Sequence, residues 1–106
     1  LINNNILGLI GLAMKAGKIA FGADSVKESI LKRKVKLVIV SEESSERTKS
    51  KFIKLCQNYN IPIIIDGNID DLSKTIGKSN KAVIGIKDIN FANSIQKKYD
   101  GGDIIG

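Results

Sequence analysis

Lys32, Arg33, Lys34 and Lys36 place four cations within five positions, and the chain then runs straight into Leu37-Val38-Ile39-Val40. The chemistry open to such a cluster is electrostatic. Ammonium and guanidinium groups fixed on the rim of a core bind phosphate; they do not make or break bonds. Like charges at this spacing repel, so the run is disfavoured unless solvent or an anionic partner relieves it. An ordinary solvated helix end explains the cluster too, because cations complement a helix C-terminus. Composition tilts the balance toward RNA: 17 Lys and Arg stand against 11 Asp and Glu, for a net charge of +6. A small basic chain carries the electrostatic footprint of a nucleic-acid binder.

Catalytic equipment is scarce. The chain has no His, which removes the usual general base at neutral pH. Cys-His pairs, Ser-His-Asp triads and His-containing zinc sites go with it. Cys56 is the only cysteine, so neither an internal disulfide nor a thiolate zinc site can form, and a cytoplasmic home is expected. Its helical spacing with Phe52, Ile53 and Leu55 marks it as a core thiol. Gly77-Lys78-Ser79 resembles the end of a phosphate-binding loop, but Leu72 stands where that motif needs its first Gly. The acidic pairs Glu42-Glu43 and Asp70-Asp71 are expected at helix starts, where carboxylates complement the dipole. No catalysis, cofactor or metal is expected. Aromatics make up only 5% of residues, and Phe21, Phe52 and Phe91 read as core. Stacking on single-stranded bases is therefore disfavoured, and recognition of a structured RNA by shape and phosphate fits better.

The elements that must position these residues follow from hydrophobic spacing. Ile6, Leu7, Leu9, Ile10 and Met14 mark a first helix that stops at Gly17. Ile19-Ala20-Phe21 is a short strand ending at Gly22. Asp24 or Ser25 caps a second helix with Val26, Ile30 and Leu31 inward. Leu37 to Val40 has the unbroken apolar run of a strand covered on both faces. Ser44 and Ser45 open a third helix, with Phe52, Ile53, Leu55 and Cys56 inward and Arg47, Lys49, Lys51 and Lys54 outward. Ile63-Ile64-Ile65 is the next strand. Asp70 or Asp71 begins a short helix that closes at Gly77. Ala82 to Ile86 is the last strand, and Ile89 to Tyr99 the last helix. Helices alternating with strands predict an α/β fold, a three-layer α/β/α sandwich around a small mixed sheet of about four strands. The 106 residues predict one domain over 1–100, with a mobile tail over 101–106. No stretch of about 18 apolar residues could span a membrane, and Leu1-Ile2-Asn3-Asn4-Asn5 lacks the basic start of a signal peptide.

These residues also resemble a family. Leu9-Ile10-Gly11-Leu12-Ala13, Ala16-Gly17-Lys18, Gly22 and Lys36 to Val40 match the small ribosomal proteins of the L7Ae/L30e superfamily, and within it the bacterial YlxQ-type proteins. Glu42-Glu43-Ser44-Ser45 with Thr48, Cys56 with Tyr59 and Pro62, Ile76-Gly77-Lys78, and Phe91-Ala92-Asn93 extend the match in order over nearly the whole chain. The resemblance implies the same α/β/α sandwich. It also implies a site built from the loop after the first strand, the start of the second helix and the loop before the last strand, where the archetypes hold kink-turn RNA.

On this chain that site covers Gly22, Ala23, Asp24, Ser25, Lys27, Glu28 and Lys32, with Lys78, Ser79, Asn80 and Lys81. Gly22-Ala23-Asp24-Ser25 falls where archetypes carry Gly-x-Asn-Glu against tandem sheared G·A pairs. Asp24 accepts a hydrogen bond but cannot donate one, and Ser25 is shorter than Glu. Glu28 stands where archetypes place a Lys, whereas Lys32 keeps a basic position. The implied function is a non-catalytic, monomeric RNA-binding protein for structured or ribosomal RNA. The alternative is a protein-interaction module of the translation machinery, the ribosome or translation factors, that has lost kink-turn binding.

Overall fold

The computed structural model describes residues 1–100; the tail expected over 101–106 lies outside the described residues. In chain order the elements are α1 (Asn4–Lys15), β1 (Ile19–Phe21), α2 (Ala23–Leu31), β2 (Leu37–Val40), α3 (Glu46–Tyr59), β3 (Ile63–Ile65), α4 (Ile69–Thr75), β4 (Val83–Ile86) and α5 (Ile89–Asp100). The strands lie in the order β1-β4-β2-β3. β2 and β3 are parallel, which requires a crossover, and α3 supplies it. β4 inserts antiparallel between β1 and β2. The mixed four-stranded α/β/α architecture is the one the sequence predicts.

Strand alternation builds two cores. Ile19 and Leu37 both pair with Ile86, and Phe21 and Ile39 both pair with Ile84. These rows face one way and meet Ile6 and Ile10 of α1, Leu72 of α4, and Ala92 and Ile95 of α5. Ala20, Val38, Val40 and Val83 face the other way, onto Val26 and Ile30 of α2 and Phe52 and Cys56 of α3. Every residue of β2 and β4 is buried, as their continuous apolar runs require. Three positions depart from the expected inward set. Leu31 is 49% exposed, because α2 has already turned its Val26 and Ile30 face to the sheet. Ile53 and Leu55 are only half-buried at the margins of α3.

Side-chain caps set the helix starts. Asn3 accepts from the Ile6 N–H at 3.0 Å, and Ser45 accepts from the Thr48 N–H at 3.1 Å. α4 begins slightly earlier than its acidic pair suggests: Asn68 accepts from the Asp71 N–H at 2.7 Å, leaving Asp70 and Asp71 in the first turn. The pair Glu42-Glu43 does not start α3. Glu43 instead accepts from the Ile69 N–H at 2.8 Å, across the chain at the start of α4.

The close approach of α2 to the sheet depends on Gly85 in the middle of β4. A Cβ added there would lie 3.3 Å from Val35 Cγ2 and 3.4 Å from Val26 Cγ1. Gly85→Ala is therefore expected to cost about 1–3 kcal/mol through overpacking. A thermal melt reads this as a clear drop in Tm, and an unchanged Tm would mean α2 tolerates a wider separation.

Candidate nucleic-acid interface

Strand directions decide which loops meet. β1 ends and β4 begins at the same edge, and the Gly22 N–H donates to the Val83 carbonyl at 2.9 Å. β2 ends there too: the Ser41 N–H reaches the Ala82 carbonyl at 2.8 Å, and Ser41 Oγ donates to the Gly67 carbonyl at 2.8 Å. The loop before β4 thus lies beside the start of α2. This is the loop end of the sheet.

α2 opens without a side-chain cap. Gly22 occupies the N-cap position with φ of 88°, a left-handed conformation that costs a residue with a Cβ. Asp24 and Ser25, expected as the cap, lie inside the first turn instead. No side chain caps the first turn, so N–H groups of Ala23 to Ser25 remain available to an acceptor. The Asp24 carboxylate complements the dipole there but repels phosphate.

The loop from Lys78 to Lys81 is held from below by α4. Gly77, with φ of 71°, ends the helix, and the Lys78 N–H returns to the Ser73 carbonyl at 2.9 Å. Ser73 is buried, and its Oγ accepts from the Lys81 N–H at 2.7 Å and donates to the Lys81 carbonyl at 3.2 Å. Asn80 takes the left-handed conformation that completes the bend. Lys78 Nζ and Lys81 Nζ then sit 5.1 and 5.8 Å from the centroid of Phe21. Phe21 is therefore not plain core. It is half-buried at the end of β1, a ring that carries two ammonium groups on the rim.

Gly22, Ala23, Asn80 and Lys81 line one cleft of ≈ 410 Å³ together with Ser44, Ser45 and Thr48. Among the described residues, the Ser44 hydroxyl in this wall is buried with no hydrogen-bond partner. Ser79 is exposed on the same loop, and Lys27 is exposed on the second turn of α2. Lys32 does not join them. It is the C-cap of the nine-residue α2, about 15 Å down the helix from Gly22. Its Nζ is 2.9 Å from Glu28 Oε1, and that hydrogen bond and charge hold the Glu28 carboxyl below its usual range. Ser25 and Glu28 face a separate groove along β1, shared with Lys87.

The acidic groups at this end are largely engaged. Glu43 closes the start of α4, as above. Burial alone would raise the carboxyl of Asp66, but hydrogen bonds from Tyr99 Oη at 2.9 Å and the Gly67 N–H at 2.7 Å outweigh it and leave the group below its ordinary range. Phe21 and Ser73 are the two site-building residues that spacing alone did not mark. For Phe21 the available signal was its place as the last residue of an edge strand, directly before Gly22.

The architecture and this site define a class. Residues 4–96 match the model of the Ribosomal protein L7Ae/L30e/S12e/Gadd45 family, and the chain belongs to that family. It is 33% identical over 92 residues to the RNA-binding protein YlxQ of Bacillus subtilis (strain 168), covering 87% of this chain and 92% of that protein. It is 35% identical over 95 residues to the RNA-binding protein YlxQ of Enterococcus faecium, covering 90% and 91%. A Bacillus halodurans protein described as of unknown function superposes with a TM-score of 0.89 at 34% identity, over 92% of this chain and 99% of its own. The Giardia lamblia 15.5kD RNA binding protein shares the fold at a TM-score of 0.77 and 18% identity, over 95% and 92%.

Proposed function

We propose that this chain is a non-catalytic RNA-binding protein of ribosomal type, which docks structured RNA through the β1–α2 loop and the loop before β4. The observation that carries the reading is the pair Lys78 and Lys81 held on Phe21 beside the uncapped start of α2. Ammonium groups and open backbone N–H groups there converge on one place, the arrangement that binds a phosphate. Relatives similar over most of the chain are named as RNA-binding proteins. Cys56 supports the non-catalytic part: burial pushes its thiol up to about 11, so it is no thiolate at neutral pH. The partner is a structured RNA, ribosomal RNA foremost, met by a single copy of the protein in the cytoplasm without a cofactor.

A gel-shift titration with total RNA and with a kink-turn oligonucleotide, at two salt concentrations, tests this. Affinity should fall steeply with salt through counterion release. Salt-independent RNA binding, or none, would move the weight to the protein-docking reading, which the carboxylates Asp24 and Glu28 favour. Kink-turn recognition has its own test. Asp24→Asn restores a donor, and Glu28→Lys adds a cation while releasing Lys32 from its ion pair. The double variant should bind a kink-turn about tenfold more tightly, ~1.4 kcal/mol, and a plain duplex with less gain. An equal gain on both RNAs would mean the change is only one of net charge.

A further inference from the structure

The basic cluster that opened the sequence lies at the end of the sheet opposite Lys78 and Lys81. There it meets cations from two other strands. Ile19 and Leu37 both pair with Ile86, so Lys18, Lys87 and Lys36 stand one step beyond the same row. The Lys87 N–H donates to the Lys18 carbonyl at 2.8 Å, and the Lys36 N–H to the Ile86 carbonyl at 2.7 Å. Neighbouring strands are ~4.8 Å apart, so the three backbones span about 10 Å.

Arg33 and Lys34 extend this row from the end of α2. The Lys34 N–H returns to the Ser29 carbonyl and the Arg33 N–H to the Ile30 carbonyl, both at 2.9 Å. That closure puts Arg33 in the left-handed region with φ of 58°, a position that glycine fills at lower cost. The guanidinium lies 5.0 Å from the Tyr59 ring centroid. It borders a cleft of ≈ 460 Å³ together with Lys36, Asn60, Asn93 and Gln96.

A solvated helix end does not account for the whole of this surface. Lys18, whose N–H returns to the Ala13 carbonyl at 2.9 Å, follows the end of α1 as Arg33 and Lys34 follow that of α2. Lys36 and Lys87, however, are at strand ends, where no helix C-terminus asks for a cation. Among the described residues, no carboxylate lies within ion-pair distance of Lys18, Arg33, Lys34, Lys36 or Lys87. Glu28 is already paired with Lys32, and Asp88 accepts from the Phe91 N–H at 3.0 Å. The fold would also be better served by glycine at Arg33.

We propose that Lys18, Arg33, Lys34, Lys36 and Lys87 form a second phosphate-binding face, which grips an RNA segment separate from the one at the loop end, so that one chain bridges two. This rests on the loop-end reading above for the first segment. RNA fits better than an acidic peptide because the face offers more than charge. The Arg33 guanidinium, 5.0 Å from the Tyr59 ring centroid, and that ring are flat groups on which a base can stack. The amides of Asn60, Asn93 and Gln96 carry donors and acceptors for base edges.

The test uses the full chain and two RNA hairpins, one immobilised and one fluorescent, and measures label carried to the surface by added protein. Wild-type protein should carry it. Arg33→Gly, and separately Lys36→Ala with Lys87→Ala, should reduce the carried label about fivefold or more and lower the salt slope of binding, by roughly one unit for each phosphate no longer gripped. Arg33→Gly should melt no lower than wild type, so its effect cannot be misfolding. Carriage that survives these variants would overturn the proposal, and bridging by paired copies of the protein would have that result. Displacement of the second hairpin by poly-glutamate at equal charge would overturn it in favour of an acidic protein partner. The loop reading fails separately, if Lys78→Ala with Lys81→Ala leaves RNA affinity intact while Lys36→Ala with Lys87→Ala abolishes it.

Discussion

Phe52→Ala is expected to remove about 3–5 kcal/mol of folding stability. Phe52 is fully buried and the largest such side chain among the described residues. It sits where α3 meets Val26 and Ile30 of α2 and Val38, Val40 and Val83 of the sheet. Truncation loses the transfer energy of a ring and leaves a cavity between two helices and a strand layer that cannot all collapse onto it. Domains of this size have only ~5–15 kcal/mol of net stability, so the midpoint should fall by roughly 15–25 °C. Chemical denaturation and thermal melts both read this. Phe91, only half-buried beside the other core, is the comparison, and Phe91→Ala should cost markedly less. Equal losses would mean the two cores are not packed as described. Below its lowered midpoint Phe52→Ala should still bind RNA, because Lys78 and Lys81 rest on Phe21 and Ser73, which belong to the other side of the fold.

The contrast between Phe52 and Phe21 shows what the sequence could and could not carry. Phe52 recurs with Cys56 at helical spacing, so its burial follows from periodicity alone. Phe21 lies in a three-residue strand, where alternation assigns a face but cannot say whether a helix covers that face at the strand's end. The strands β2 and β4 were legible as continuous apolar runs, and Gly17 and Gly77 were legible as helix stops. The start of α4 was not, because Asn68, Asp70 and Asp71 all have capping chemistry and only the backbone path selects Asn68. The pairing of Lys32 with Glu28 was visible in their four-residue spacing. That the cluster at Lys32 to Lys36 and the loop at Lys78 to Lys81 occupy opposite ends of the sheet was not. It depends on the strand order β1-β4-β2-β3, which no local pattern encodes. Nor does local sequence reveal that Ser73 brackets both backbone groups of Lys81.

Reversing Lys78 and Lys81 together to glutamate should weaken binding of structured RNA by about 30- to 150-fold, ~2–3 kcal/mol. Each change removes a cation held over Phe21 and places a carboxylate beside the start of α2. The loss should be of similar size for every structured RNA, because phosphate contacts position a protein without reading sequence. Stability should hardly move, since both side chains project from a loop whose backbone is fixed by Gly77 and Ser73. The control is the outward face of α3: Arg47→Glu with Lys51→Glu and Lys54→Glu changes more charge but alters no residue of the loop before β4 or of α2. If that triple variant lost as much affinity as the loop pair, binding would follow net charge alone and the loop end would be no site. A much larger loss for Lys78→Glu with Lys81→Glu, together with a smaller salt slope, locates the phosphate at the meeting of β1, α2 and β4. It would also separate this end of the sheet from the row Lys18, Lys87 and Lys36, whose substitution leaves the loop untouched.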